Sequence, residues 1–195
     1  MNDYLQNATL RSLLKTLNIP VPVPPILKRN LAAFSEDELQ AKKVAVAGYE
    51  IDFLHQLQHT LHGKTAAATI YDSSIDGLVV SCVGIKDIEG LEDLYTSVKN
   101  TVAKIAANGR VVIVSKIDNS TALSYTVQRS IDGFSRALSK EIGGKKGVTV
   151  NQLKITSDAV TVENVVNASS FFLSDKSSFI TGQVVEMNNN SGISF

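Results

Sequence analysis

From Lys42 onward, short apolar runs alternate with longer stretches in which apolar residues recur every three or four positions. Runs of the first kind predict buried strands and stretches of the second kind predict amphipathic helices. The predicted strands are Lys43-Val44-Ala45-Val46-Ala47-Gly48, Thr65 to Tyr71, Gly77 to Val83, Arg110 to Ser115, Gly147 to Leu153 and Phe179 to Met187. Between them, Leu54, Leu57 and Leu61 mark one helix face within Glu50 to Leu61. Leu91, Leu94, Tyr95, Val98, Val102 and Ile105 mark a second, closed by the stop signal Asn108-Gly109. Leu123, Val127, Ile131, Phe134 and Leu138 form a third stripe, and Val162 to Leu173 forms the last helix. Regular alternation of strand and helix predicts a mostly parallel sheet with helices on both faces and right-handed crossovers.

Ahead of this pattern, Leu5, Leu10, Leu13, Leu14 and Leu17 follow a helical period, with Asp3 placed as a cap. Such a helix needs a surface to dock on. All four prolines follow, at positions 20, 22, 24 and 25, and favour an extended connector. Residues 1–41 therefore read as an N-terminal helix and proline-rich arm, and 42–195 as a folded α/β domain. The run Asn188-Asn189-Asn190 reads as a frayed end.

A hydrophobic fraction of 44% over 195 residues is enough for a real core. The net charge of zero, without a long basic run, speaks against nucleic acid and anionic membrane surfaces as partners. Lys145-Lys146 reads as solvated loop charge. The single cysteine, Cys82, excludes an intrachain disulfide and reads as a small buried hydrophobe. Polar residues interrupt the N-terminal helix, so neither a signal peptide nor a membrane span is expected, and a soluble cytoplasmic protein is.

Gly133-Phe134-Ser135-Arg136-Ala137-Leu138-Ser139-Lys140-Glu141 followed by Gly147-Val148-Thr149-Val150-Asn151 resembles a late helix and strand of the short-chain dehydrogenase/reductases, especially FabG-type 3-oxoacyl-acyl-carrier-protein reductases. Phe171 to Asp175 with Ser178-Phe179-Ile180-Thr181-Gly182-Gln183 is similar to the closing segment of that family. The proline-punctuated arm, Asp76 to Ile85 and Gln128 to Phe134 resemble more closely the N-terminal, flavodoxin-like domain of high-molecular-weight FabG reductases. The resemblance implies a three-layer Rossmann/flavodoxin-like doubly wound sheet with an N-terminal arm. It also implies a degenerate copy of the reductase fold whose active ketoreductase partner would lie beyond Phe195 or on another chain.

The chemistry of that family maps poorly onto this sequence. After the first strand, Gly48-Tyr49-Glu50-Ile51-Asp52 offers one glycine where the dinucleotide pattern has three, and two acids that would repel a pyrophosphate. Gly48 therefore reads as a turn residue, with cofactor binding by Gly48 and a ribose contact from Asp72 as the weaker alternative. Alignment on Gly133-Phe134 puts Ser124 in the place of the family's catalytic tyrosine, Gln128 in that of its lysine, and Lys116, next to Ser115, in that of its serine. Tyr125 with Arg129 has the Tyr-x-x-x-Lys spacing one residue later. That slip turns the pair by about 100° around the helix, and arginine cannot replace lysine's compact charge.

His55, His59 and His62 fall on consecutive turns of one helix. Without a carboxylate or thiolate beside them they read as a solvent-facing row, and no metal is expected. The leading expectation is a non-catalytic, reductase-like module in fatty acid metabolism, with Tyr125, Arg129 and Arg136 facing a second copy or a FabG-type ketoreductase domain, and without a cofactor. The alternative is an active NAD(P)H-dependent short-chain reductase using Tyr125, Arg129 and Ser115, with acyl carrier protein as a possible partner. A flavodoxin-like FMN binder is a third reading, weakened by short loops and the absence of tryptophan.

Overall fold

The computed structural model describes residues 8–17, 33 and 35–188. The Asp3 cap, the proline elbow and the end of the asparagine run lie outside them. Six strands form one parallel sheet: β1 (Lys43–Gly48), β2 (Ala66–Ala68), β3 (Ile75–Ser81), β4 (Ile105–Lys116), β5 (Thr149–Ile155) and β6 (Val184–Met187). Their order is β2-β1-β3-β4-β5-β6, with every pairing parallel. The helices are α1 (Ala8–Thr16), α2 (Ile51–His62), α3 (Ile88–Val102), α4 (Ala122–Lys146) and α5 (Val162–Leu173). The expected doubly wound α/β fold is therefore present.

Strands buried on both faces are apolar almost continuously, and β4 shows why: Val111 and Ile113 enter one core while Val112 and Val114 enter the other. The first core is closed by Leu94 and Val98 of α3 and by Val127, Ile131, Leu138 and Ile142 of α4. Leu57 and Leu61 of α2 and Val165, Val166, Phe172 and Leu173 of α5 close the second. Each fully buried aliphatic side chain contributes about 1.5–3 kcal/mol of transfer free energy, so the three layers hold together mainly through these stripes. Leu13 of α1 and Leu17 just after it are both more than half exposed.

Several element boundaries differ from the sequence expectation for identifiable reasons. Ile105 does not continue the helix before it but opens β4 opposite Ile75, and Asn108 then adopts a left-handed φ of 61°. The pairing register shifts there before Arg110 meets Gly77, so Asn108-Gly109 makes a strand irregularity and not a helix stop. The second strand is only Ala66–Ala68, because the chain turns at Thr69, whose N–H donates to the Asp72 carboxylate at 2.7 Å. The last strand begins at Val184, and the preceding Ser177–Gln183 segment instead turns against β5, with Thr181 Oγ1 accepting from Val150 N–H and the Ile180 carbonyl accepting from the Asn151 amide.

Leu123, expected inward, is 49% exposed, since Ser124 takes the inward position in the first turn of α4. Lys146 is no loop charge: it ends α4 and donates to the carbonyls of Ala103 and Ile105. No described helix is long and apolar enough to cross a membrane.

Candidate functional site

In a doubly wound sheet, ligands bind outside the carboxyl ends of the strands where the order reverses direction. Here that point lies between β1, which leads to β2 on one side, and its other neighbour β3. Gly48 ends β1 with φ +135°, and a Cβ on it would lie 2.0 Å from the Ser81 carbonyl oxygen. The glycine therefore serves the close approach of β1 to β3. Tyr49 N–H donates to that same Ser81 carbonyl at 3.0 Å.

The next residue decides what this corner can hold. Glu50 stands as the N-cap of α2 in a left-handed conformation, φ 59°, and its Oε2 accepts the Phe53 N–H at 3.0 Å. Its Cβ and Cγ also lie where the loop after β3 passes, within 3.3 and 3.6 Å of the position a Cβ on Gly84 would take. A helix N-terminus attracts anions through its free N–H groups and its dipole. In this chain a carboxylate of the chain itself fills that role.

Beside this corner, the loops Val83 to Lys86 and Lys116 to Asp118 and the side chain of Gln128 enclose a cavity of about 240 Å³. Of the three residues aligned above with catalytic positions, Lys116 and Gln128 line this cavity, while Ser124 lies behind its rim beside Asp118. Lys116 is held outward by Asp158 at 2.7 Å, and that ion pair, led by the Lys116 hydrogen bond, lowers the Asp158 pKa. Ser124 completes a capping box with Thr121: each backbone N–H is bound by the other's hydroxyl. Gln128 is 3% exposed, and its Oε1 has no hydrogen-bond partner. Asp118 adds another carboxylate to the rim, its pKa lowered first by hydrogen bonds from Ser120.

The remaining candidates are dispersed. Ser115 is fully buried, its Oγ accepting from Gln152 Nε2 at 2.9 Å. Tyr125 is 49% exposed, and its hydroxyl accepts from Arg129 Nε at 3.1 Å on the outer side of α4, away from the cavity lining. Asp72 is exposed, and its carboxylate is turned back onto Thr69 N–H. Tyr49 borders the first core, and burial, followed by the charge of Asp93, pushes its phenol up to about 12, the opposite of what a proton donor working near neutrality needs.

His55 and His59 are exposed, but His62 is half-buried and donates from its ring to the Val44 carbonyl at 3.1 Å, so the row does not all face solvent. Among the described residues no group of three His, Cys, Asp or Glu is placed to hold a metal ion. Cys82 is buried without exposure, and burial raises its pKa strongly.

A buried polar network lies under α4 that the apolar pattern does not announce. Gln152 Nε2 donates to Asp132 Oδ1 at 2.8 Å as well as to Ser115, and its Oε1 accepts from Ser135 at 2.9 Å. Lys154 Nζ donates to Asp132 Oδ2 at 3.1 Å. Gln152 and Lys154 follow Val150 along one face of β5, at alternate positions of a strand with no exposed residue. That alternation is the available signal: polar residues two apart in a central strand must find partners inside.

No known protein-family profile matches the sequence, and no curated protein matches it. Solved structures do resemble the fold. BdcA (YjgI) from E. coli superposes with a TM-score of 0.55 at 15% identity, covering 77% of this chain and 98% of that one. A short-chain dehydrogenase/reductase, SDR:Glucose/ribitol dehydrogenase, from Brucella melitensis gives 0.57 at 14%, covering 78% and 97%. The enoyl-acyl-carrier-protein reductase of Plasmodium berghei, solved with triclosan, gives 0.50 at 17%, covering 63% and 60%. The chain thus shares the three-layer parallel fold of these proteins.

Proposed function

We propose that this chain is a reductase-like module that has no nicotinamide chemistry of its own and serves in the assembly of a FabG-type 3-oxoacyl-acyl-carrier-protein reductase, within fatty acid metabolism. The observation that carries the reading is the Glu50 carboxylate on Phe53 N–H, which occupies the helix terminus a pyrophosphate would need. Lys116, Ser124 and Gln128 support it, since none can act as the acid, the lysine or the carbonyl-polarising serine of such a site.

Assembly is assigned to the outer side of α3 and α4. Tyr95 of α3 is 53% exposed, Leu123 and Tyr125 of α4 are each 49% exposed, and Arg129 stacks on the Tyr125 ring at 5.4 Å. Aromatic residues and arginine are the usual anchors of protein interfaces. A second copy of this chain is the proposed occupant, and a FabG-type ketoreductase domain is the alternative.

Sedimentation equilibrium is expected to show a dimer, and Leu123→Glu with Tyr125→Glu is expected to weaken it about thirtyfold or more, the loss of one interface hot spot. A strict monomer that also fails to bind a FabG-type ketoreductase contradicts the assembly role.

A further inference from the structure

At the opposite end of the sheet, where β5 begins, a second cleft of about 500 Å³ opens between the late turns of α4 and the Ser178–Gly182 segment. Its size falls within the range of small-molecule sites. Arg136 and Lys140 stand one helical turn apart on its rim, both exposed, and neither has an ion pair among the described residues. No acidic side chain lines it. Thr149 and Ser178 line it while only 5% and 6% exposed, and their hydroxyl oxygens, shielded from solvent just behind its surface, lack a hydrogen-bond partner.

Buried hydroxyls without partners are costly, and most native ones are satisfied. Other polar groups at this site are already engaged: Ser139 Oγ donates to the Arg136 carbonyl, and Thr181 Oγ1 accepts from Val150 N–H. The two orphan hydroxyls and the two free cations are thus the groups left to meet a ligand. Together they offer donors and positive charge.

We propose that this cleft binds the phosphoryl group of a small phosphate monoester. An arginine fork and a lysine point charge suit phosphoryl oxygens, and the two hydroxyls supply further donors. The carbonyl end of α4 opposes an anion with roughly half an elementary charge, which two full cations outweigh. The cleft leaves room beyond a phosphate ion for the esterified group. The site shares Arg136 with the outer side of α4 but uses neither Leu123 nor Tyr125, and it is independent of the switch-point corner.

Thermal unfolding of the full chain tests this with two probes, inorganic phosphate and glycerol 2-phosphate, against sodium chloride at matched ionic strength. Both phosphates are expected to raise Tm saturably, the ester at least as tightly as the free ion. Arg136→Gln with Lys140→Gln is expected to weaken the apparent affinity roughly tenfold or more, the loss of charge-assisted hydrogen bonds. Gly144 lines the cleft within α4, and a Cβ there would meet nothing within 4 Å. Gly144→Leu should therefore block the cleft without lowering the ligand-free Tm. A shift matched by chloride, one unchanged in the double variant, or binding of phosphate but not of the ester overturns the proposal.

Discussion

Asp132→Ala is expected to destabilise the protein by about 3–5 kcal/mol, the typical cost of removing one partner of a buried ion pair. The side chains of Lys154 and Asp132 are 8% and 10% exposed. Without the carboxylate, the Lys154 ammonium keeps its burial and loses the one anion it meets among the described residues, while Gln152 Nε2 loses one of its two acceptors. Arg129 also reaches Asp132, at 3.6 Å, but it is 63% exposed and adds little. In a chain of this length the change should lower Tm by about 10 °C or more, and urea denaturation gives the free energy directly. Adding Lys154→Met should recover most of the loss, because an apolar residue of similar volume needs no counter-charge. If the double variant is no more stable than Asp132→Ala, the burial of an unpaired charge is not the cause.

Gly48→Ala is expected to cost a similar amount, about 3 kcal/mol or more, by forced overlap and backbone strain. The new Cβ would meet the Ser81 carbonyl oxygen at 2.0 Å and its nitrogen at 2.7 Å, and φ +135° is a region that L side chains rarely adopt. Neither obstacle can be relieved by a side-chain rotation, since the obstructing atoms are backbone of the paired strand β3. Gly133→Ala is the matched comparison: it lies within α4 with nothing within 4 Å of its Cβ position. That change should stabilise by up to about 1 kcal/mol through helix propensity. The contrast, read as shifts of the urea midpoint, separates a glycine needed for strand approach from one that is merely present. It also bears on function, because it explains Gly48 without a pyrophosphate.

What was legible in the sequence was the part governed by local period. Helix α5 has the limits its apolar pattern predicts, Val162–Leu173, and the β-branched run of β4 sits at the centre of the sheet. Asn108-Gly109 misled because the same dipeptide that ends helices also serves a strand irregularity, and only pairing with Ile75 and Gly77 distinguishes the two. Leu123 misled because spacing alone does not say which side of a first turn meets the sheet, and a capping box placed Ser124 there instead. The polar network was hidden for a different reason: Asp132 belongs to α4, Gln152 and Lys154 to β5, and Ser115 to the end of β4. Their pairing exists only after the three elements pack.

At the candidate site, Lys116, Ser124 and Gln128 could be read from sequence as departures from the residues that the resembled family carries there. Glu50 could be read only as an unfavourable charge. That its carboxylate caps α2 follows from a left-handed backbone at a position where no glycine stands, which no periodicity reveals.

Calorimetric titration of the full chain with NADPH and with NADH tests most directly the proposal that this fold carries no nicotinamide site. No saturable heat is expected with either cofactor, because the Glu50 carboxylate holds the helix terminus. Saturable binding in the micromolar range, competed by the other cofactor, would contradict it.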